Sequence, residues 1–447
     1  MHAQSSELHG RAAWLLILAA SVVMMITTGT RLSMGLFISP MNTSTGLGVV
    51  AISFAMAVAQ FVWGLAQPVF GAVADRYGPG RVIVTGGLML AAGTALTPFV
   101  DTQWGLIFAM GLLSAAGAGA GSFSTLMGAT AQRLSPRMRA HASGVVNAGG
   151  SAGQLLFAQL AQGIIGAAGW VAAMLTMAAA ALLTLPLAWP LRRRAAPAVT
   201  PATAAPAPSA TAASDATSAS ASTSLQAGAS APGSAATAGA PVVETGLWTQ
   251  VRASFSDRSY LCLHAGFFTC GFHIAFLVTH MPGEVELCGL PLNVSANVLA
   301  LIGLFNIAGS LAAGSLSTRY RMKHLLAIMY ASRAVFILAY LAAPKTPETM
   351  YLFAAGLGLT WLATVPPTAG LVGKLFGTRY LSTLFGLTLV SHQTGAFFGA
   401  WLGGLAVASS GNYQWMWYAD VVLAVAAALV NFPIREAAPV RLEARTA

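Results

Sequence analysis

Two ionisable side chains, Arg31 and His273, lie inside long apolar stretches of the sequence, 242 positions apart. A guanidinium group binds a carboxylate through two parallel hydrogen bonds, and a neutral imidazole can accept a proton near physiological pH. No acidic residue shares the apolar stretch of Arg31, so a bound anion is an economical partner for its charge. The pair therefore predicts a site for a small organic anion. The alternative is structural: an arginine bonded to backbone carbonyls or extended to the membrane surface, and a histidine in an ordinary contact between helices.

Further polar side chains in apolar stretches were assigned by their spacing and neighbours. His280 follows His273 by seven residues, close to two helical turns, so both share one helix face and His280 is a second candidate ligand. Its alternative is a residue at the outer membrane interface. Arg333 is interpreted as structural. Asp420 stands among Trp415, Trp417 and Tyr418 and is interpreted as interfacial, with a proton carrier as the alternative. Gln60 and Gln67 share a helix face that could line a cavity or bridge helices.

These residues must be positioned by membrane-spanning helices. The chain has 56% hydrophobic and 8% charged residues, whereas soluble domains carry about 25% charged residues. A bilayer crossing needs about 20 mainly apolar residues, and twelve stretches meet that length. The fold class predicted is an all-α membrane protein with two bundles of six helices. The predicted spans are residues 12–38, 48–73, 82–100, 104–130, 141–164, 169–190, 259–281, 295–317, 324–343, 349–373, 382–407 and 413–433.

The net charge of +10 follows the membrane topology and does not indicate nucleic acid as a partner. If the amino terminus is cytoplasmic, all but three of the 22 basic residues fall in the tails and connections of the cytoplasmic side, the exceptions being Arg31, Arg333 and Lys345. Such a bias sets the orientation of membrane proteins. Both termini are therefore expected in the cytoplasm, with the lipid bilayer as partner.

A long insert separates the two groups of spans. Residues 195–243 consist almost entirely of Ala, Ser, Thr, Pro and Gly, a composition that cannot bury a core. The predicted organisation is an amino-terminal tail (1–11), a first bundle (12–190), a disordered cytoplasmic linker (191–255), a second bundle (256–433) and a carboxy-terminal tail (434–447). Residues 247–258, at the end of the linker, are expected to form a short amphipathic helix leading into the seventh span.

A polar turn at residues 71–81 interrupts the apolar sequence between the second and third spans, and a degenerate copy returns 243 positions later. At an offset of 242, Gly29 matches Gly271, and Gly144 and Gly153 match Gly386 and Gly395. Parallel repeats of six spans with a site between them are a known arrangement of transporters. The repeat therefore predicts two similar halves. The turn residues of interest are Gly71, Asp75, Arg76, Gly78 and Arg81, with Arg319 in the copy.

The turn is predicted to act as a latch between the halves. Asp75 is expected to meet the positive end of the eleventh span near Ser382 and Thr383, with Arg133 close by. An exposed contact between a charge and a helix dipole contributes about 0.3–1 kcal/mol, enough to bias two states without locking either. Thr318 stands where the copy would need an acid, so the second latch is expected to be weaker. The alternative is a plain marker of topology.

Other chemistries find no support in the sequence. Gly117, Gly119 and Gly121 alternate with alanine inside an apolar stretch, without the strand and the Lys-Ser/Thr of a phosphate-binding loop, so they predict close helix packing. The three cysteines show no paired spacing, and no metal-ligand set or nucleophile–base–acid arrangement is found. No metal, cofactor or enzymatic activity is therefore expected.

Taken together, these motifs resemble those of the major facilitator superfamily. The family's signature for the loop between spans two and three falls on Gly71, Asp75, Arg76 and Gly78, with Arg81 near its distal basic position. The resemblance covers the chain apart from the linker and tails.

Within the superfamily, residues 31–40, 361–367 and 391–395 resemble bacterial relatives of the monocarboxylate and oxalate–formate transporters. On this resemblance His392 and Gln393 occupy a position where related carriers place a substrate contact. One departure is the eighth span, which is uncharged here although such carriers tend to have an arginine there, often with an aspartate. The carboxylate assignment therefore depends on the other residues.

The resemblance implies a secondary transporter that works by alternating access and moves a small organic anion, such as a monocarboxylate. Transport by proton symport or by exchange for a counter-anion would suit the site, and the bacterial inner membrane would be its location. Two alternatives remain open: an exporter of neutral or amphipathic compounds, of the drug-efflux type, and a membrane sensor that does not transport.

Overall fold

The apolar stretches of the sequence form the helices of the protein. The structure is a computed structural model, and it describes residues 10–131, 133–134, 136–192, 247–377 and 381–436, which contain helices and no strands. The α-helices are α1 (Arg11–Leu32), α2 (Ile38–Thr45), α3 (Val49–Tyr77), α4 (Pro79–Leu96), α5 (Gln103–Leu106), α6 (Ala115–Ala120), α7 (Phe123–Ala131), α8 (Pro136–Leu182), α9 (Thr184–Leu191), α10 (Leu247–Phe255), α11 (Arg258–Leu287), α12 (Leu292–Arg319), α13 (Met322–Ala342), α14 (Pro347–Thr360), α15 (Val365–Phe376), α16 (Leu381–Ser410) and α17 (Gln414–Asn431).

Ten helical stretches of the described residues are long and apolar enough to cross a bilayer. One of them, Ala142–Leu191, turns sharply at Gly169, where φ is 86°, and so contains two crossings. The 30-residue helix α16 provides a further crossing outside those ten. Counting both gives the twelve spans predicted from the sequence. The first span is longer than predicted and continues to Thr45, while the seventh continues to Leu287.

Glycine pairs at the predicted repeat positions pack the helices of each half. In the first half, a Cβ added to Gly29 would lie 2.7 Å from the backbone oxygen of Gly153. In the second half, Gly271 abuts the backbone of α16, and Gly395 abuts the backbone of α11. Only glycine permits such close approach of two membrane helices. The sequence repeat therefore corresponds to the same helix packing in both halves.

Three spans are interrupted near mid-length. A 3-10 segment, Met34–Phe37, separates α1 from α2, and a second one, Leu362–Thr364, separates α14 from α15. A π-helical segment, Ile107–Ser114, joins α5 to α6. Two prolines in the first turn of α15 suit a new helix start, because their missing N–H groups would have no intrahelical partner. These interruptions free backbone groups and re-aim side chains in the interior of the bundle.

The two halves meet along α3 with α16 and along α8 with α12. We call the end of the bundle that carries Arg76, Arg192 and Arg319 the basic end. At the opposite end the halves are in close contact: Gly35 abuts the backbone of Val278, and the Ser39 hydroxyl donates to Glu286 Oε1 at 3.0 Å.

Towards the basic end the same helix faces diverge. Four glycines lie on the helix faces that meet the other half, two or three turns nearer the basic end than the residues in contact there. A Cβ added to any of the four would have no atom within 4 Å. They are Gly71 on α3, Gly144 on α8, Gly314 on α12 and Gly386 on α16. The structure is therefore closed between the halves at the opposite end and separated at these four positions of the basic end.

Most of the predicted linker, residues 193–246, lies outside the described residues. Its last nine residues form α10, as the amphipathic pattern predicted. Asp257 then caps α11, because its Oδ1 accepts the backbone N–H of Ser259 at 2.7 Å and its Oδ2 accepts from Arg435 at 2.5 Å. The chain leaving α17 is thus tied to the start of α11.

A second contact of this kind holds the start of α13. The Glu436 carboxylate accepts the backbone N–H groups of Met322 and Lys323 at 3.1 and 2.9 Å, and the Lys374 ammonium at 2.8 Å. Burial of the carboxylate alone would raise the pKa of Glu436, but the hydrogen bonds to Lys323, Lys374 and Met322 outweigh it and lower the pKa below its usual value.

We expect Glu436→Gln to destabilise the protein by about 0.5–2 kcal/mol at neutral pH, the usual cost of losing a helix cap. Since the folded-state pKa is depressed, this stabilisation is present above the ordinary glutamate pKa and is lost as the pH falls through the folded value. Thermal unfolding in detergent from pH 7 down to pH 3 measures the effect. Lys374→Met should cost less, because the lysine side chain is 40% exposed. An equal loss at pH 7 and pH 3 would contradict the prediction.

Candidate functional site

Arg31 lies in the last turn of α1, immediately before the break that leads into α2. Its Nη1 donates to Gln60 Oε1 at 2.6 Å, and its guanidinium carbon stands 4.0 Å from the ring centroid of Trp63. Gln60 and Trp63 are three residues apart on α3 and so share one face. The buried Nε of Arg31 has no hydrogen-bond partner among the described residues. The arginine is therefore held by an amide and an aromatic ring, with part of its donor set free.

A small cavity of about 30 Å³ adjoins this arginine. Both halves contribute to it, since Val278 and Thr279 come from α11, and the π-helical segment contributes Met110. A space of this size holds one or two water molecules. Its lining residues are Arg31, Met34, Met56, Ala59, Gln60, Met110, Val278 and Thr279.

The charge of Arg31 has no acidic partner in the part of the chain that the structure describes. Its two contacts, to Gln60 and Trp63, are neutral. Arg31 is half-buried, and a cation removed from water without a counter-ion is costly, whereas a planar guanidinium with free donors is suited to a carboxylate. The arrangement therefore has the donors to bind a small anion at the contact between the halves, and the cavity of about 30 Å³ would have to widen to admit one.

His392 and Gln393 are neighbours on α16, and Gln393 packs against α3 near this site. A Cβ added to Gly64 would fall on the Gln393 side chain, and Gly64 is four residues, about 6 Å, along the same face from Gln60. Gln393 Nε2 and His392 Nδ1 are 3.1 Å apart, and the buried Gln393 Oε1 has no partner among the described residues. The structure thus brings Gln393 within about one turn of α3 of the Arg31 contact, whereas the His392 ring packs against Phe267 in the second half, and neither residue lines the cavity.

His273 does not line the cavity beside Arg31. It is 1% exposed, and its Nδ1 hydrogen-bonds the carboxylate of Asp420, which is fully buried. The interpretation of Asp420 as an interfacial residue is therefore wrong. The repeat does not extend to this pair, because Ala178 occupies the position 242 residues before Asp420, so Arg31 finds no equivalent acid in its own half.

His280 makes a contact between two helices of the second half. Its Nε2 lies 2.7 Å from the backbone oxygen of Ala400, and its ring packs against Gly403. The side chain is 1% exposed and is not among the residues that line the cavity. This geometry fits a packing role better than the predicted ligand role, and the residue lies inside the bundle rather than at an interface.

The structure describes only some of the residues of the predicted latch. The side chains of Asp75 and Ser382 lie outside the described part of the structure, so their contact stays a prediction. Arg133 Nη1 donates to the backbone oxygen of Pro190 at 2.7 Å, within the first half. Gly78, with φ of 97°, ends α3 and begins α4, a turn that favours glycine.

The exposed arginines of the turn and its copy are Arg76, Arg81 and Arg319. Arg76 lies over the ring of its neighbour Tyr77, with the guanidinium carbon 5.4 Å from the ring centroid. Gly71 faces open space. The turn is thus positioned at the basic end, where the halves are apart.

Arg333 is buried and binds backbone carbonyls, as its structural interpretation predicted. Its Nη2 donates to the oxygens of Thr360 and Trp361 at 2.6 and 2.8 Å, which are left free by the break between α14 and α15. Trp63 was missed by the sequence analysis. Its position three residues after Gln60, on the face already assigned to the cavity, is the signal that would have found it.

A larger cavity, of about 470 Å³, lies within the second half among α11, α16 and α17. Its wall is mainly apolar, and His264 and Ser391 are bonded to each other there at 2.6 Å. It does not lie between the halves, so it does not match the predicted site. No group of three or more His, Cys, Asp or Glu residues suited to a metal occurs within the described ranges.

Comparison with known proteins identifies the family. The family model described as Major Facilitator Superfamily matches residues 16–390 and 298–447. The oxalate:formate antiporter of Oxalobacter formigenes is 32% identical over 162 residues, which are 36% of this chain and 38% of that protein. Monocarboxylate transporter 13 of Rattus norvegicus is 23% identical over 408 residues, or 90% of this chain and 84% of the relative.

Solved structures agree on the fold. A D-xylose-proton symporter and a bacterial homologue of the human lysosomal transporter Spinster, in an inward-facing and occupied conformation, each have a TM-score of 0.69 at 13% identity. The alignments cover 95% of this chain and 98% and 97% of those chains. The multiple apolar helices, the paired halves and the family match lead to one conclusion: the chain belongs to the Major Facilitator Superfamily, as a multi-pass membrane protein.

Proposed function

We propose that the protein is a secondary active transporter that carries a small organic anion, such as a monocarboxylate, by alternating access. The observation that supports this most is the half-buried guanidinium of Arg31 at the contact between the halves, whose partners among the described residues, Gln60 and Trp63, are neutral. A carboxylate would complete its hydrogen bonds and neutralise its charge. From the other half, the amide Nε2 of Gln393, which lies 3.1 Å from His392 Nδ1, offers a further N–H donor to an anion.

The relatives support the substrate class. One is named as an antiporter of oxalate and formate, and the other as a monocarboxylate transporter. Carboxylates are common to both names. The first alignment covers little more than a third of either chain, so the transport direction and the coupling are carried over as proposals.

Orientation follows from the basic residues. Placing the basic end in the cytoplasm satisfies the positive-inside bias and puts both termini there, in a bacterial inner membrane. Since a Cβ added to Gly71 or Gly144 of the basic end would meet no atom within 4 Å, the described state is then inward-facing. Gradients of protons or of a counter-anion would supply the driving force, without a cofactor and without enzymatic chemistry.

Purified protein in liposomes loaded with unlabelled L-lactate, formate or oxalate is expected to accumulate the same labelled anion by counterflow. Counterflow needs only binding and alternating access, so it tests the function independently of coupling. Protein-free liposomes correct for passage of the free acids through lipid. Failure of all three anions to exchange, or to raise the thermal stability of the protein, would remove the carboxylate proposal.

The same preparation separates the two alternatives. An exporter of amphipathic compounds would be stabilised by hydrophobic cations that do not compete with lactate. A sensor would bind a ligand, which stabilises the folded form by mass action, without any flux.

A further inference from the structure

Buried ionisable side chains form a group inside the second half, apart from the cavity beside Arg31. His273 on α11 pairs with Asp420 on α17, and Arg333 on α13 lies within electrostatic range of that carboxylate. The three side chains are 1%, 0% and 1% exposed. Charges persist in such surroundings only when they compensate one another. We call His273, Asp420 and Arg333 the buried triad.

The charges of the buried triad cancel when His273 is neutral, because one arginine faces one carboxylate. His273 Nε2 and Asp420 Oδ1 are buried and lack hydrogen-bond partners among the described residues. One added proton would therefore find a free acceptor, but it would give the triad a net positive charge. In a poorly polarisable interior that charge is unfavourable, and a negative charge bound at the contact between the halves would offset part of it. Proton uptake and anion binding would then favour each other.

Other titratable groups of the described residues also lie around the triad, and two of them interact with Arg333 more strongly than Asp420 does. Cys270 and Tyr330 are in electrostatic range of Arg333, and Cys270 interacts with His392. Glu284 lies eleven residues from His273 along α11 and bonds the Tyr340 hydroxyl at 2.6 Å. The groups presented by the packed helices are Cys270, His280 and Glu284 of α11, Tyr330, Arg333 and Tyr340 of α13, His392 of α16 and Tyr413 before α17.

The triad is connected to the contact between the halves. The Trp361 ring lies edge-on to the His273 ring, with centroids 6.4 Å apart, and the Trp361 oxygen accepts from Arg333. The next residue, Leu362, donates its backbone N–H to Asn306 Oδ1 at 3.0 Å. Asn306 Nδ2 donates in turn to Ser151 Oγ of the first half at 2.9 Å. A change of charge in the triad therefore acts on a helix break that is bonded to the other half.

From this geometry we infer that His273 and Asp420 form the proton-binding site of the transport cycle, with Arg333 compensating the carboxylate. This inference deepens the proposed function and rests on it. The pair is closed to solvent in the described state, so proton uptake from water on one side and release to water on the other each accompany a change of state between the halves. No electron transfer or further reactant is needed. Symport of the anion with a proton follows, rather than anion exchange alone.

The first experiment needs no substrate. Infrared difference spectra of the purified protein, taken between acid and alkaline buffer, should contain carboxyl and imidazole bands that disappear in Asp420→Asn and in His273→Gln. Asp101→Asn, a change at an exposed residue, is the matched control and should keep the bands. Bands that persist unchanged in both triad variants would overturn the inference.

The second experiment compares two modes of L-lactate transport in liposomes. For symport of one proton, a gradient of one pH unit should raise accumulation by about tenfold in the wild type. Asp420→Asn should lose this response selectively: the tenfold effect of the pH gradient on accumulation should disappear, whatever the absolute counterflow rate of the variant. A merely structural role would lower both modes together and would lower the thermal stability.

The outcomes separate the inference from the proposed function. Counterflow by the wild type without any response to the pH gradient would overturn the assignment of the proton-binding site but not the proposed transport function. A full gradient response in Asp420→Asn also overturns it. Absence of wild-type counterflow with every anion removes the proposed function instead. Where a variant does not yield folded protein, judged by size-exclusion chromatography, the other triad variant decides.

Discussion

Arg31→Ala is expected to abolish measurable anion counterflow while the protein still folds. A carboxylate held by two charge-assisted hydrogen bonds would lose about 1.5–3 kcal/mol for each, which corresponds to a loss of roughly 10² to 10⁴ in affinity. Arg31→Lys should retain a small part of the activity, because an ammonium keeps the charge but cannot form the planar pair or stack on Trp63 in the same way. Initial counterflow rates over a range of L-lactate concentrations measure the effect.

Gln60→Glu separates an anion-binding role of Arg31 from a structural one. The change keeps the size of the side chain and its position 2.6 Å from the guanidinium, but it supplies an internal counter-ion. If Arg31 binds the anion, the new carboxylate competes with it and counterflow should fall by at least tenfold. If Arg31 only holds α1 against α3, the stronger ion pair should preserve transport and raise the thermal stability.

Gln67→Glu is the matched control for that experiment, since it adds the same charge on α3 outside the cavity lining. It should leave lactate counterflow within about twofold, as expected for a change outside the binding contacts. Equal inhibition by both variants would show that negative charge on α3 is harmful in itself, and Arg31 would lose its assignment as the anion contact.

Much of the fold was predictable because lipid imposes simple requirements on sequence. Helices must satisfy their own backbone groups across the bilayer, so apolar runs of sufficient length mark the spans. The offset of 242 residues predicted the corresponding packing glycines, Gly29 and Gly153 in one half and Gly271 and Gly395 in the other. Span ends were less predictable. α11 continues past His280 to Leu287, beyond the point where the hydropathy of the sequence falls. Glu284 can lie in this extension because its carboxylate accepts a hydrogen bond from the Tyr340 hydroxyl.

The candidate site was predictable only in part. Arg31 stood out by its charge, and Gln60 by its helix face, but the contact of Gly64 with Gln393 depends on how the halves meet. His273 was assigned by analogy with Arg31, yet its environment is determined by Asp420, 147 positions away. Periodicity within one helix carries no information about such a partner. An acid beside tryptophans was therefore assigned to the interface although it lies in the core.

Gly35→Val is expected to prevent closure at the end opposite the basic end. The added side chain would press on the backbone of Val278, which cannot move aside as a flexible side chain would. Overpacking costs about 1–3 kcal/mol, or about 5- to 150-fold in the balance of two states when the second state relieves it. Counterflow should fall by at least tenfold, because the cycle requires both states, while the protein remains folded.

Accessibility of the cavity measures this shift directly. In a variant without its three cysteines, Ala59→Cys places a thiol in the cavity lining. A membrane-impermeant maleimide added from the side opposite the basic end should react faster when Gly35→Val is present. Gly163→Val is the matched control, since an added Cβ there meets no atom within 4 Å. Wild-type transport together with unchanged labelling in Gly35→Val would mean that this contact does not open during the cycle.

Gly386→Val should shift the same equilibrium in the opposite direction. Gly386 lies seven residues from Gln393, on the face of α16 that packs against α3, but it has open space around it in the described state. The added bulk costs little there and obstructs only the state in which the basic end closes. Labelling of Ala59→Cys from the opposite side should therefore become slower. The double variant Gly35→Val and Gly386→Val should give an intermediate labelling rate and a lower thermal stability, since each of the two states is then overpacked at its closed end. Parallel rather than opposite effects of the two single variants would rule out two halves that close alternately at these contacts.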